Sequence, residues 1–446
     1  MILPISIPRR NEKKTISHAL KTETPQETAP GATSFSVMRY QNIRAASLSL
    51  VEGLSDADAT VQSMPDASPA KWHLAHTTWF FEAVVLQPHL EGYENFDDAF
   101  HFLFNSYYEA LGPRHLRPRR GMLTRPSLDR VRAYRAHVDE AMERMLARGS
   151  TSDEISELIE LGLNHEQQHQ ELLLTDLLHL FAQNPLNPEY RSPVPLPLTN
   201  TPSLEQTWTH FDGGIYQVGH DGDGFSFDCE GPFHDTLLLP FELANRPVSI
   251  GEWISFIDDG GYQQPMLWLS DGWASVQNNG WTAPLYWEKR GDQWWGMTLR
   301  GIQPVNVDAP VCHISYFEAD AYARWAGCRL ATEFEWETAT TKLDVAGQFA
   351  NNGLYRPLPS TNQDHCLTQM FGDVWEWTSS PYISYPGFEP IPGVASEYNG
   401  KFMSGQFVLK GGSCVTPPGH VRATYRNFFY PHQRWQFSGL RLARNA

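Results

Sequence analysis

The sequence predicts two domains of different class, a four-helix bundle followed by an α+β domain with much loop. Apolar residues recur at helical spacing between residues 36 and 185. After residue 206 this spacing is scarce, glycines punctuate short segments, and twelve of the fifteen tryptophans lie beyond residue 250. A chain of 446 residues is long enough for two or three such domains.

Four predicted helices make up the bundle, which is the usual number for this architecture. The first lies near residues 38 to 53. Ser68 is the expected N-cap of the second, and Gly149 is expected to end the third. Thr151 and Glu154 form a predicted capping box at the start of the fourth. In the second domain, only "SYFEADAYARWAGC" and its continuation look helical.

Composition sets the boundaries of the two domains. Residues 1–35 have no apolar period and are expected to form a disordered tail. Repeated prolines in residues 186–205 predict a linker, because neither a helix nor a central strand accepts them. The bundle then spans residues 36–185, and the second domain spans residues 206–446.

The overall charge limits the partners that we expect. A formal net charge of −17 argues against nucleic acid, whose binding depends on clustered Lys and Arg. The N-terminus lacks the order of a secretory signal and no apolar run has bilayer length, so we predict a cytoplasmic protein without a membrane partner. Five scattered cysteines are predicted to be buried thiols.

The segment "LNHEQQHQELLLTD" places His165 and His169 four residues apart, on one face of a helix. Two imidazoles so placed can bind one metal ion. The best third ligand lies in "KWHLAHTTWFFE", where His73 and His76 are three residues apart and only one can point fully inward. Three imidazoles suit iron, zinc or copper, so spacing alone leaves the metal open.

The same segment also matches the H-E-x-x-H pattern of zinc proteases, in which Glu166 would be the general base. The extension H-x-x-G-x-x-H is missing after His169. Nearby candidates for a third ligand are Glu171, Asp176 and His179. We therefore favour a metal site of another kind.

Longer segments carry a resemblance to a known family. "QSMPDASPAKWHLAHTTWFFE", "NSYYEALGPRHLRPRRGMLTRP" and "NHEQQHQELLLTD" resemble the DinB-like domain of the ergothioneine-biosynthetic sulfoxide synthases, the hercynine oxygenases called EgtB. "MFGDVWEWTSSPY" and "FVLKGGSCVTPPGHVRATYRNFFYPHQRWQFSGLRLAR" resemble their partner domain, of the formylglycine-generating or sulfatase-modifying type. The resemblance implies a DinB-like four-helix bundle followed by a C-type-lectin-like domain.

The family's chemistry implies iron(II) held by His76, His165 and His169, with His73 in a supporting or structural role. Such enzymes use O2 to join a cysteine-type sulfur to imidazole C2 of hercynine, which is N-alpha-trimethylhistidine. The product is a sulfoxide. The resemblance places Gln168, together with Asn427 and Phe428, near the trimethylammonium group, which aromatic faces bind well.

The choice of sulfur donor depends on two positions. Family members that take gamma-glutamylcysteine carry an acidic residue at the position of Phe429 and an arginine near Gln433. This chain lacks that pair, so it resembles the class that uses free L-cysteine. The same reaction with gamma-glutamylcysteine stays an alternative.

Further substrate and catalytic residues come from the bundle. The family's active-site tyrosine corresponds to Tyr107 or Tyr108, either of which could donate a proton. The loop "GPRHLRPRRG" offers Arg114, Arg117 and Arg120 as candidates for binding a substrate carboxylate. At most two of the arginines in this loop are expected to reach the site.

Three other functions are weighed against this one. Formylglycine-generating enzymes use a cysteine pair where this chain has Thr416 and Val421. Ovothiol-type 5-histidylcysteine sulfoxide synthases usually add a methyltransferase domain. A non-enzymatic lectin-like protein could hold calcium through "DGDGFSFD", with Asp221, Asp223 and Asp228 as ligands.

Overall fold

The computed structural model describes residues 31–148, 152–194, 205–360, 366–390 and 399–446, with side chains from residue 37 onward. The described chain is helical before residue 185 and rich in strands and loops after residue 205. None of its helices combines the length and apolar character needed to cross a bilayer.

The first region is built from helices around one core. Its four long helices pack together, and α3 contacts both α6 and α7. A π-helical segment, Phe81–Leu86, continues α3. The helices are α1 (Gly31–Leu50), α2 (Asp56–Thr60), α3 (Ala70–Phe80), α4 (Gln87–His89), α5 (Ala99–Phe104), α6 (Leu128–Ala147) and α7 (Asp153–Ala182).

Two predicted helix caps are wrong. The N-cap of α3 is Pro69, because the backbone N–H of Ser68 donates to Asp176 and its hydroxyl accepts from Arg120. The N-cap of α7 is Ser152, whose side chain accepts from the backbone of Ile155. The predicted cap residues Gly149 and Thr151 lie outside the described residues.

The domain boundaries predicted from composition stay predictions. Helix α1 begins at Gly31, inside the segment expected to be a tail, and residues 1–30 lie outside the described residues. Part of the expected linker packs on the bundle, since Tyr190 is buried and its hydroxyl donates to the carbonyl of Leu50. Residues 195–204 lie outside the described residues.

The second region contains four described sheets and four α-helices. Its strands are β1 (Trp208–Phe211), β2 (Gly214–Val218), β3 (His234–Leu238), β4 (Phe241–Ala244), β5 (Trp287–Arg290), β6 (Gln293–Thr298), β7 (Gly301–Pro304), β8 (Arg329–Leu330), β9 (Trp375–Pro381), β10 (Phe407–Lys410), β11 (Asn427–Phe429), β12 (Ser438–Gly439) and β13 (Leu442–Asn445). The sheet orders are β1-β4-β13-β8, β11-β10-β9-β12, β5-β6-β7 and β2-β3. The helices are α8 (Ile250–Asp258), α9 (Ser270–Asn279), α10 (Tyr316–Trp325) and α11 (Glu333–Thr340).

The expectation of a single helical segment near Tyr316 is wrong. Helices α8 and α9 are also present. Helix α9 has few apolar residues, whereas α8 carries Ile250, Trp253, Ile254 and Ile257 at helical spacing, a pattern that predicts this helix. A capping box formed by Ser249 and Glu252 starts α8. Gly280, with φ of 63°, ends α9 in the left-handed conformation that glycine adopts readily.

The two regions share one continuous hydrophobic core, so they are held in a fixed relation around α7. Strand β9 supplies the buried indoles of Trp375 and Trp377. Strand β11 pairs with β10, which pairs with β9. This sheet therefore carries Asn427 and Phe428 at an edge strand of the second region.

Candidate metal centre and substrate pocket

Three histidines from two helices meet in the core of the bundle. His76 comes from α3, and His165 and His169 come from successive turns of α7. One ring nitrogen from each lies within 4.8 Å of the others. Among the described residues no other set of His, Cys, Asp or Glu brings three donor atoms together in this way, and Asp221, Asp223 and Asp228 form no such group.

Burial keeps these imidazoles neutral, which is the form that binds metals. It lowers the pKa of His165 to about 3. Burial first, and the neighbouring His165 second, lower the pKa values of His76 and His169 well below the usual range. Each of the three neutral imidazoles therefore has one ring nitrogen whose lone pair can bind a metal ion.

His76 provides the clearest test of whether a metal fits. Its Nδ1–H donates to the backbone oxygen of Phe104 at 2.6 Å, so Nε2 carries the lone pair. This buried Nε2 has no hydrogen-bond partner among the described residues. A metal ion bound by the three imidazoles would satisfy that atom, so the residues present fit a metal centre.

His73 does not join the cluster of donor atoms. It is buried, and its Nδ1 lies 2.8 Å from Nδ1 of His169. Its Nε2 lies 3.0 Å from Oδ2 of Asp176. Both ring nitrogens are therefore used in contacts beside the centre.

Glu166 is turned away from the histidines and cannot act as a protease base. Its carboxylate accepts from Arg44 at 2.7 Å, from Ser47 at 2.5 Å, and from Arg135. Burial raises the pKa of Glu166, but Arg135 and Arg44 together lower it to about 2. A saturated, ionised carboxylate that is held by two arginines does not accept a proton from a metal-bound water.

The other proposed protease ligands also lie elsewhere. Asp176 contacts His73, and Nδ1 of His179 lies 2.7 Å from the hydroxyl of Ser63. Glu171 points into the second region, as described below. The protease alternative therefore lacks both its base and its third ligand.

Glu171 connects α7 to the second region through three hydrogen bonds. Its carboxylate accepts from the indole of Trp375 at 2.6 Å and from the hydroxyls of Ser413 and Thr416 at 2.8 and 2.7 Å. Burial raises the pKa of Glu171. Thr416 is one of the two positions where a formylglycine-generating enzyme needs a thiol, and here it binds a carboxylate instead.

Gln168 faces the second region one residue before His169. Its Nε2 donates to the hydroxyl of Tyr425 at 2.7 Å. That hydroxyl lies 3.1 Å from Nε2 of His420, whose pKa burial lowers to about 3. The tyrosine hydroxyl therefore accepts from Gln168 and contacts a neutral imidazole, and these contacts hold the glutamine side chain.

Strand β11 brings an aromatic surface to the same boundary. Phe428 stacks on Tyr382 with ring centroids 4.1 Å apart, and its ring lies 5.9 Å from that of Phe402. The side chain of Asn427 accepts from the backbone N–H of Phe428. Phe428 is half-buried, so part of this residue is exposed.

Phe429 and Gln433 have local partners. Phe429 packs edge-on against Trp435, with ring centroids 5.9 Å apart. Oε1 of Gln433 accepts from the backbone N–H of Tyr430 at 2.9 Å and closes the turn after β11. Neither side chain carries a charge.

The two candidate tyrosines differ in exposure. Their rings are 5.2 Å apart. Tyr108 is fully buried beside Trp79, whereas Tyr107 is half-buried. The ring of Tyr107 contacts Phe402, and the ammonium group of Lys401 lies 5.0 Å from its centroid. Burial raises the pKa of Tyr107, so it stays protonated at neutral pH.

One of the candidate arginines is buried beside the histidines. The guanidinium of Arg120 lies 3.3 Å from the centroid of Trp72, which stacks on His76 with centroids 4.6 Å apart. Arg120 donates to the hydroxyls of Ser68 and Ser106. Burial and the neighbouring arginines lower its pKa.

The other two arginines lie on the surface. Arg114 pairs with the exposed carboxylate of Glu109 at 2.9 Å. Arg117 donates to the backbone carbonyl of Asp66. Of the three arginines, Arg120 is the one that packs on Trp72, the ring that stacks on His76.

The two regions match two known domain families. Residues 39–173 match the DinB superfamily, and residues 200–356 and 344–446 match the sulfatase-modifying factor enzyme 1-like domain. The hercynine oxygenase of Mycolicibacterium smegmatis is 34% identical over 436 residues, covering 90% of this chain and 96% of the relative. The chain belongs to the hercynine oxygenase family. Hercynine oxygenases of Mycobacterium tuberculosis and Mycolicibacterium thermoresistibile are 35% and 33% identical, each over 90% of this chain and over 96% and 92% of their own lengths.

Membership of the hercynine oxygenase family confirms the predicted fold class and shows that the protein is an oxygenase. Sequence reasoning missed Tyr425 and assigned no supporting role to Asp176. Tyr425 had no local signal, since it lies 257 residues from Gln168. Asp176 did have one, because a residue seven after His169 shares its face of the helix.

Proposed function

We propose that this hercynine oxygenase joins the sulfur of L-cysteine to imidazole C2 of hercynine and gives hercynylcysteine sulfoxide. The reaction breaks the C2–H and S–H bonds, forms a C–S and an S–O bond, and reduces the second oxygen atom of O2 to water. The observation that carries the proposal is the convergence of His76, His165 and His169 beside the second region. Iron(II) bound there would supply the redox centre at which thiolate and O2 meet.

Hercynine would bind between α7 and β11. A trimethylammonium group donates no hydrogen bonds, and aromatic faces attract it. The half-buried Phe428 and the rings stacked near it offer such a surface, and Gln168 is held at the boundary by Tyr425. Asn427 adds an amide on the same strand. These three residues orient the substrate ring toward the histidines.

The cysteine carboxylate would bind to Arg120. The structure gives this buried guanidinium only two hydroxyl acceptors and no carboxylate within 4.0 Å among the described residues. A buried cation without an anion is costly, so an incoming carboxylate gains strongly from pairing with it. Arg114 and Arg117 have partners on the surface and would contribute less.

Tyr107 would donate the proton that the reduction of O2 requires. Its raised pKa keeps the phenol protonated. Its partial exposure at the boundary of the two regions leaves it accessible to the substrate space, whereas Tyr108 packs fully inside. A protonated phenol that is fixed by Phe402 and Lys401 is suited to general acid catalysis.

The test supplies hercynine and O2 together with either cysteine or gamma-glutamylcysteine to the iron-loaded protein. Mass spectrometry and NMR identify the product and the attacked carbon, and an oxygen electrode follows O2. We expect hercynylcysteine sulfoxide, with O2 consumed only when both substrates are present. Preference for the dipeptide, or a C5-linked product from histidine, would overturn the proposal.

A double substitution tests the basis of the thiol preference. Phe429→Asp with Gln433→Arg supplies the charged pair that a glutamyl group needs. The variant should gain turnover with gamma-glutamylcysteine relative to cysteine. Phe429→Asn with Gln433→Met, which changes the same positions without charge, is the control and should show no such gain. Equal behaviour of the two variants would show that these positions do not set the preference.

A further inference from the structure

A chain of hydrogen bonds links Asp176 and His73 to His169, outside the three ligand atoms. We propose that Asp176 and His73 form a relay that fixes His169 in the tautomer with Nδ1 protonated and Nε2 presented to the metal. The inference rests on the proposed metal centre. It assigns positioning roles to two residues that bind neither metal nor substrate.

The first step is the direction of the bond between Asp176 and His73. A carboxylate only accepts, so Nε2 of His73 must carry the proton that lies between it and Oδ2 of Asp176. The same oxygen accepts from the backbone N–H of Ser68 at 2.7 Å, which holds the carboxylate in place. The orientation of the His73 ring follows from these two bonds.

The second step is the direction of the hydrogen bond between His73 and His169. In the tautomer with its proton on Nε2, His73 has its lone pair on Nδ1, which lies 2.8 Å from Nδ1 of His169. The proton in that contact therefore belongs to His169. The remaining nitrogen of His169, Nε2, then keeps its lone pair for the metal.

The relay also joins the two helices that supply the ligands. Asp176 and His169 lie two turns apart on α7, and His73 lies one turn before His76 on α3. Asp176 and His73 are both more than 90% buried, so their hydrogen bonds form in a low dielectric, where they are strong. The relay thus fixes the register of α3 against α7 at the metal centre.

In His76, a backbone oxygen fixes the same tautomer, with Nδ1 protonated, and no second side chain is needed. Its Nδ1–H donates to the backbone oxygen of Phe104, which no substitution removes. His169 has a side-chain partner instead, so its orientation is open to mutation. Partners of this kind orient metal-binding histidines and support metal affinity.

The test compares two substitutions of His73 with a control substitution on α7, the helix that carries Asp176 and His169. His73→Phe removes the acceptor, whereas His73→Gln keeps an oxygen acceptor and an N–H donor. His179→Phe removes a half-buried imidazole that contacts Ser63, one turn beyond Asp176. Anaerobic competition with a chromophoric chelator gives the Kd for Fe(II), the visible spectrum of the Co(II) form reports coordination, and thermal unfolding checks the fold.

We expect His73→Phe to raise the Kd for Fe(II) by about 10- to 100-fold while the protein stays folded. His73→Gln should bind more tightly than His73→Phe and keep more of the Co(II) spectrum. His179→Phe should bind like the wild type. An unchanged Kd in folded His73→Phe, or an equal loss in His179→Phe, would overturn the relay.

These outcomes are distinct from failure of the proposed function. If the wild-type protein binds Fe(II) but makes no sulfoxide, the proposed reaction is wrong, and the ratio of Kd values still decides the relay. Asp176→Ala provides a second route to the same answer, because it removes the acceptor but leaves His73 in place. It should weaken Fe(II) binding in the same direction as His73→Phe, and wild-type affinity would contradict the proposal.

Discussion

Two buried polar clusters lie side by side on α7 and are stabilised in opposite ways. Glu166 is ionised and is saturated by Arg44, Arg135 and Ser47, all from the chain itself. His165, the preceding residue, belongs to a cluster of neutral imidazoles in which Nε2 of His76 has no hydrogen-bond partner among the described residues. The first cluster is complete within the chain, whereas the second fits a bound metal ion. Two successive residues of one helix thus have separate roles in our proposal, Glu166 in structure and His165 in metal binding.

The largest effects should follow from removing a ligand. His165→Ala and His169→Ala, and likewise His76→Ala, each leave two imidazoles, so iron content should fall from one per chain to near zero and sulfoxide formation should be lost. His179→Ala is the matched control and should keep its iron. Metal analysis of purified protein with a thermal melt checks this. Full iron content in any of the three ligand variants would remove that residue from the centre.

The tyrosine at the domain boundary should come next. Tyr107→Phe removes the proposed acid without changing the ring, so the rate of sulfoxide formation should fall by about 100-fold or more. Hercynine binding should change little, and thiol oxidation without C–S bond formation should take a larger share of the products. Tyr108→Phe is the control. Product ratios measured by mass spectrometry that are unchanged in both variants would exclude the pair.

The neighbouring ion cluster should control stability instead of chemistry. Glu166→Gln leaves the buried Arg135 without a carboxylate partner and leaves Arg44 with Asp139 alone, so it should lower the free energy of unfolding by about 3–5 kcal/mol. The folded protein should still bind iron. Urea unfolding with metal analysis measures both. Lost iron in a folded Glu166→Gln variant would mean that the two clusters are not separate.

The stabilisation that Glu166 provides should depend on pH in a defined direction. The arginines hold the pKa of Glu166 at about 2, below the ordinary value of 4.5. Its stabilisation is therefore complete above pH 4.5 and is lost as the pH falls toward 2. The difference in unfolding free energy between wild type and Glu166→Gln should shrink over that range. A constant difference would contradict the assignment.

The sequence predicted those parts of the centre that depend on local spacing or on a long motif. Helical periodicity placed His165 and His169 on one face, and motif resemblance selected His76 over His73. The structure brings these three together, and their role as iron ligands stays a prediction. The family and the hercynine oxygenase function are confirmed by the relatives.

Contacts between distant parts of the chain were not predictable in this way. Tyr425 holds Gln168 across 257 residues, and Lys401 contacts Tyr107 across 294. Such pairs leave no period or spacing in one sequence. The hydrogen-bond partners of Glu166 were likewise not predictable. The pattern H-E-x-x-H is the same whether its glutamate contacts a metal site or two arginines.

The smallest expected effect concerns Arg120 and separates binding from stability. Arg120→Met keeps an apolar chain against Trp72 but removes the charge, so the KM for cysteine should rise by about 10- to 100-fold, the range for a charge-assisted hydrogen bond. Arg114→Met removes a surface charge that is paired with Glu109 and should change KM little. Steady-state kinetics at saturating hercynine measure both.

Thermal unfolding of the same variant distinguishes a binding residue from a structural one. Removing a buried cation that has no carboxylate partner relieves a desolvation cost, so the Tm of Arg120→Met should stay level or rise. A structural arginine would instead lower it, as Glu166→Gln lowers the stability of the compensated cluster. A raised KM with an undiminished Tm would show that Arg120, like the three histidines, takes its partner from outside the chain. A lowered Tm with an unchanged KM would show that Arg120 is a structural residue like Glu166.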